Sequence, residues 1–157
     1  MDEHLFRNLL QVGMVVSDLD ETLEKFQSLL GIGPFRIAEY PPAGEEGCLR
    51  EYQGKPADFT AKFCFFHFGN IELEVIQPLS GDSIWSDFLR EHGPGLHHLK
   101  FSMDRLEPAR RQLEEHGFCC VQQGAAVGPN KGKVWAYYEL QKDLPLCIEI
   151  MNEVIDP

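Results

Sequence analysis

The sequence predicts an α+β fold built from two tandem βαβββ modules, whose curled sheets enclose a cleft. Three observations predict it. A strand running into a capped amphipathic helix occurs twice, from Leu9 and again from His97. Apolar residues alternate in the strand stretches and recur every three or four residues in the helical ones, the periods of the two structures. Each half also closes on an alternating strand with a glutamate on its polar side, Glu74 and Glu149. A repeated unit that cannot bury its own apolar face packs against its copy. The 157 residues therefore read as a single domain: a first module at about 8–79, a linker helix at about 82–92 and a second module at about 96–152.

In order along the chain, Leu9–Val16 (LLQVGMVV) is the opening strand. Ser17 or Asp18 caps a helix whose Leu19, Leu23, Phe26 and Leu30 share a face, and Gly31 stops it. Phe35–Tyr40, Gly47–Gln53, Ala61–Phe68 and Ile71–Gln77 follow as strands, with a loop at Pro41–Gly47 and a tight turn at Gly69-Asn70. Asp82–His92 is a short helix with Ile84, Trp85, Phe88 and Leu89 inward, and Gly93-Pro94-Gly95 links the halves. His97–Met103 then opens the second module, and Asp104 caps a helix with Leu106, Ala109 and Leu113 inward. Pro108 is tolerated in that helix's first turn. Phe118–Gln122, Lys133–Glu139 and Leu146–Met151 complete it. Gln11–Gly31 overlays His98–Phe118 in order of elements, and the first half carries the longer loops.

Acidic residues outnumber Lys and Arg by 25 to 14, a formal charge of −11 without a basic cluster. That excludes the electrostatics of nucleic-acid binding and disfavours an anionic membrane surface. A small molecule is the expected partner. Five cysteines (Cys48, Cys64, Cys119, Cys120, Cys147), odd in number and without a CxxC pair, fit a reducing cytoplasm better than a disulfide framework. The N-terminal residues lack a signal-peptide pattern, and no apolar run approaches the roughly 18 residues of a membrane span.

Strand parity selects the residues that meet. If Val12, Met14 and Val16 pack on the helix, Gln11 and Gly13 face the other way. By the same rule His98, Lys100 and Ser102 oppose Leu99, Phe101 and Met103. Glu72 and Glu74 oppose Leu73 and Val75, and Glu149 opposes Ile148 and Ile150. Should the sheets curl together, Gln11, Glu74, His98 and Glu149 converge. An imidazole, two carboxylates and an amide oxygen suit one divalent ion, whether Zn, Ni, Co, Mn or Fe. Alternation on a half-exposed sheet also yields polar faces that bind nothing, so parity leaves both readings open.

A family resemblance bears on that choice. Gln11–Leu19 (QVGMVVSDL), Leu29–Phe35 (LLGIGPF), Glu72–Leu79 (ELEVIQPL), Phe88–Phe101 (FLREHGPGLHHLKF) and Cys147–Glu149 (CIE) resemble the vicinal oxygen chelate superfamily, in its glyoxalase and methylmalonyl-CoA epimerase-like branch. The resemblance covers nearly the whole chain and implies metal ligands at Gln11, Glu74, His98 and Glu149. Gln11 departs from the histidine that the epimerases usually carry; some glyoxalase I enzymes carry a Gln/Glu/His/Glu set. A ring-cleaving dioxygenase would want two histidines and one glutamate around iron, which this set lacks. The resemblance also implies a homodimer, and chemistry in which the ion stabilises an enolate while a carboxylate moves the proton.

The expected activity is that of a metal-dependent epimerase, isomerase or lyase of a small acyl compound, such as a CoA thioester. The alternatives are a glyoxalase-I-type lactoylglutathione lyase and a non-catalytic protein that sequesters a small molecule. Glu149 is the first candidate for base, Glu74 serves the opposite face, and Glu51 is a further candidate from a first-half strand. Lys100 binds a substrate carboxylate or phosphate, or else reaches solvent at an edge. His97 is expected on the face opposite His98, and Trp85 and Trp135 in the core or rim. His67 and Glu72 carry no assignment.

Overall fold

The computed structural model describes residues 5–6, 8–103, 105–141 and 143–152. Two arrays of strands meet edge to edge. The first half supplies β1 (Asn8–Val15), α1 (Leu19–Leu30), β2 (Ile37–Tyr40), β3 (Arg50–Tyr52), β4 (Lys55–Pro56), β5 (Thr60–Phe68) and β6 (Ile71–Ser80). After α2 (Ile84–His92) come β7 (Gly95–Met103), α3 (Leu106–Glu115), β8 (Cys120–Ala125), β9 (Val134–Glu139) and β10 (Cys147–Asn152). The strand order is β2-β5-β6-β1-β7-β10-β9-β8-β3-β4. The seam is the antiparallel pair β1–β7, flanked by the parallel pairs β1–β6 and β7–β10.

Local chemistry explains the helices. Asp18 caps α1 by accepting a hydrogen bond from the Glu21 amide at 2.9 Å, and Gly31 ends it in the left-handed conformation. Leu19 and Leu23 are buried, whereas Leu30 is exposed: the inward stripe ends before the last turn. Ser83 closes a capping box with Ser86 on α2. Asp104, the expected cap of α3, lies outside the described residues; Arg105 holds the N-cap position and its side chain makes no capping bond.

The outer face carries two apolar clusters, one under α1 (Val16, Leu19, Leu23, Leu73, Val75) and one under α3 (Met103, Ala109, Leu113, Ile148, Ile150). The inner face carries an aromatic cluster that includes Tyr40, Phe63, Trp85, Trp135 and Tyr137. The sheet curls until strands far apart in its order touch: the Tyr40 hydroxyl of β2 donates to the Ala125 carbonyl of β8 at 2.9 Å.

One strand goes elsewhere than its module. The stretch expected as a strand at 47–53 shortens to β3 and pairs with β8 of the second half, Arg50 opposite Gly124 and Glu51 opposite Gln123. The buried Arg50 holds this crossing in place by donating to the carbonyls of Phe59 and Glu46 at 2.8 and 2.5 Å.

Candidate metal centre

Adjacent strands bring the polar residues of the inner face together. Across β1–β6, Gln11 lies opposite Glu72 and Gly13 opposite Glu74. Across β1–β7, Gly13 lies opposite His98 and Gln11 opposite Lys100; across β7–β10, Lys100 lies opposite Glu149. Gly13 is required by space: a Cβ there would stand 1.9 Å from His98 Cε1, so the imidazole lies directly over the β1 backbone.

Nε2 of His98 stands 3.2 Å from Glu74 Oε2 and 3.2 Å from Glu149 Oε2. All three residues are buried, and none of these three atoms has a hydrogen-bond partner among the described residues. The ligand atoms of the trio lie within 4.8 Å of one another. Donors bound at about 2.1 Å to one ion stand about 3.0–3.4 Å apart, so the trio has the spacing of a coordination shell.

Gln11 supplies a fourth donor atom, its amide oxygen. Its Nε2 donates to Glu72 Oε1 at 2.6 Å, and a carboxylate accepts only from N–H. The amide oxygen is thereby turned the other way, buried and without a partner among the described residues. Four orphaned, buried donor atoms, two carboxylate oxygens, an imidazole nitrogen and an amide oxygen, fit a divalent ion. Each would otherwise carry an unmet desolvation cost of about 1–3 kcal/mol or more.

The groups around these four residues are fixed as well. Lys100 Nζ reaches Glu149 Oε1 at 3.0 Å and is itself buried, so the solvent-facing reading of this lysine gives way to an internal ion pair. Burial alone would raise the Glu149 carboxyl. The charge of Lys100, then the His98 contact, outweigh it and hold the carboxyl well below the usual range. Glu74 is pushed the other way, chiefly by burial. Burial acts to lower the His98 pKa, but the two carboxylates raise it overall.

His97 corrects another expectation. A register shift in the β1–β7 pairing runs from Gly13–His98 to Met14–Leu96, leaving His97 as the extra residue of a bulge. Both imidazoles are therefore on one side, with Nδ1 of His97 3.0 Å from Nδ1 of His98. Burial, and then His98, hold the His97 pKa well below its ordinary value. A neutral His97 that accepts from His98 Nδ1–H leaves the Nε2 lone pair of His98 facing the carboxylates.

Glu51 is not brought to this cluster. Pairing with β8 turns it to the outer face, where its carboxylate accepts a hydrogen bond from Gln123 near Arg110. Sequence reasoning missed Glu72 and the walls of the cleft. A cavity of about 430 Å3 opens over the cluster, with Gln11, Glu72, Glu74, Lys100 and Glu149 on its floor. Phe63, Phe65, Trp85, Trp135, Tyr137 and Met151 form its walls, and Glu39 and the loop at 126–130 border it.

A family model for the Glyoxalase/Bleomycin resistance protein/Dioxygenase superfamily matches residues 10–137. The chain belongs to this superfamily. Among curated proteins of similar sequence, the uncharacterized protein YqjC of Bacillus subtilis is 33% identical over 107 residues, covering 67% of this chain and 76% of that protein. The bovine mitochondrial methylmalonyl-CoA epimerase is 25% identical over 118 residues, 74% of this chain; the match spans 58% of the epimerase, less than two thirds of its length.

Solved structures share the superfamily's fold. The methylmalonyl-CoA epimerase of Mycobacterium tuberculosis superposes with a TM-score of 0.64 at 19% identity, covering 98% of this chain and 93% of the other. A variant of the Streptomyces coelicolor epimerase bound to 2-nitronate-propionyl-CoA does so with a TM-score of 0.64 at 16% identity, covering 95% and 99%. Among the described residues no helix is long and apolar enough to cross a membrane.

Proposed function

We propose that this superfamily member is a metal-dependent isomerase or epimerase of a small acyl compound, with a CoA thioester as the first substrate to test. The observation that carries the reading is the set of buried, unpartnered donor atoms on Gln11, Glu74, His98 and Glu149. These four residues would hold the ion. When bound, it supplies Lewis-acid polarisation of a substrate carbonyl, which acidifies the adjacent C–H. Glu149, kept ionised by Lys100, is fit to accept that proton on its carboxylate. Glu74, on the other side of His98 Nε2, is the second carboxylate within reach and serves the opposite face. Two carboxylates so placed suit proton traffic at two positions. Lys100 binds the substrate's negative charge, and the aromatic walls exclude water.

The apolar lining also favours a second reading, sequestration of a small molecule without turnover. Two measurements separate them. Native protein is expected to hold about one divalent ion per chain by mass spectrometry, lost in His98→Ala. It is also expected to catalyse solvent deuterium exchange into methylmalonyl-CoA, and not to convert the hemithioacetal of glutathione and methylglyoxal. Metal without exchange into any acyl substrate supports sequestration; conversion of the glutathione adduct identifies a lactoylglutathione lyase; no metal after reconstitution overturns the metal-dependent reading.

A further inference from the structure

Two features of the cleft bear on what it holds, and both rest on the metal-site reading above. The first is charge. Glu74 and Glu149 would together neutralise a divalent ion, and the buried ammonium of Lys100, 3.0 Å from Glu149, then leaves one surplus positive charge in the centre. Glu72 is the further carboxylate on the floor. Its side chain is 29% exposed and engaged with Gln11, so water screens it more than the buried groups. The buried part of the site is therefore balanced by a ligand of charge −1.

The second feature is shape. Phe65 lies opposite Glu74 in the β5–β6 pairing, so its ring adjoins the centre on the same face of the sheet. Phe65 is 45% exposed although it is a large apolar residue, and it stacks on Phe63 with the rings 3° from parallel. The exposed side of this flat wall lines the cavity, and Trp85 and Trp135 line it as well. A site meant for an ion and a short polar acid gains nothing from such walls. Aromatic surface of this kind gains by offset stacking or edge contact with a planar apolar group.

We infer that the cleft selects a monoanionic ligand that carries a flat, ring-sized apolar substituent, with Lys100 fixing the charge and the Phe63–Phe65 wall seating the ring. Phe65 and Lys100 are then specificity-determining residues, and a ring-bearing acyl compound binds more tightly than a methyl-bearing one such as methylmalonyl-CoA.

Benzohydroxamate and acetohydroxamate test this directly. Each gives a monoanionic two-oxygen chelate, and they differ in ring against methyl. Binding to metal-loaded protein is read by tryptophan fluorescence, with metal content measured on every sample. The native protein is expected to bind benzohydroxamate roughly tenfold or more tightly, the share of partial ring burial. Phe65→Ala, a half-exposed position whose change spares the fold, should cut that ratio at least threefold and leave acetohydroxamate unchanged. Lys100→Met should weaken both ligands by a similar factor, roughly tenfold, at unchanged metal content. A metal-loaded protein with the same ratio before and after Phe65→Ala overturns the ring seat. Equal affinity of Lys100→Met and native protein overturns the charge assignment. Failure of the native protein to take up any divalent ion overturns both this inference and the functional reading beneath it.

Discussion

Gln11 and Glu74 in the first module occupy the positions that His98 and Glu149 occupy in the second, and the pairing demonstrates the equivalence. Gln11 lies opposite Lys100 while Gly13 lies opposite His98, so exchanging the modules returns the same register. On the flanking strands Gly13 meets Glu74 as Lys100 meets Glu149, and Gln11 meets Glu72 as His98 meets Cys147. With the geometry duplicated, the chemistry has diverged at three matched pairs: Gln11 and His98, Gly13 and Lys100, Glu72 and Cys147. The first module gives space and a neutral amide that depends on Glu72 for its orientation. The second gives the imidazole, the buried cation, and a bulge that adds His97. A duplicated scaffold thus fixes where these four side chains stand, and unmatched neighbours decide their chemistry.

Gly13→Ala is the severest test of that division. Its Cβ would collide with the His98 ring, and the neighbouring atoms belong to a buried side chain with no room to retreat. We expect metal affinity to fall more than 100-fold and thermal stability to drop, measured by metal competition and calorimetry. Native affinity in this variant would mean that His98 does not need the space over β1.

Next in size is Glu72→Gln. A glutamine can donate to Gln11 as well as accept from it, so the amide loses its fixed orientation. Metal affinity should fall about 10–100-fold, the usual range for losing a residue that orients a ligand. In a Gln11→Leu background the same change should cost less than about twofold, because coupling vanishes with the group that transmits it. Equal costs in both backgrounds would show that Glu72 acts by charge alone.

The halves should also differ in pH dependence. The two carboxylates raise the His98 pKa, so lowering the pH protonates the imidazole, and a proton there competes with the ion. Below that pKa, affinity should fall by about tenfold or more per pH unit. Gln11 does not titrate, so Gln11→Leu should bind more weakly yet keep the slope; a changed slope would mean that the two ligands are not independent.

The smallest effect falls outside both ligand sets. Asp18→Ala removes the α1 cap and should cost about 1 kcal/mol in denaturant unfolding, with metal affinity unchanged. A loss of affinity would show that the helix face and the ligand face are coupled through β1.

Much of this was legible in the sequence because period-two alternation is a local signal. Gln11, Glu74, His98 and Glu149 share the inner face as their parity predicts, and Val12, Val75, Phe101 and Ile148 pack on the outer clusters. What was not legible depends on single-residue slips or distant pairing. The bulge at His97 breaks the parity rule at one residue and brings two imidazoles together. Glu51 was misplaced because β3 has three residues and its partner strand lies about 70 positions further along the chain. Lys100 reads from sequence as an edge residue, and the ion pair that keeps it inside needs Glu149 on the neighbouring strand.

The crossing of β3 to β8 has a consequence for how the chain is made. Arg50–Tyr52 pairs within its own half only with the two-residue β4, and its other edge docks on a strand that exists once residues 120–125 are in place. As the polypeptide leaves the ribosome, this segment must wait until the chain has been made as far as Ala125. The four strands β2, β5, β6 and β1 can pair early, but the clasp between the halves waits for β8. A contact of such sequence separation is slow to form. Cutting the gene between the two copies would leave one fragment with an orphan hairpin and the other with an uncovered strand, an invitation to the wrong partner.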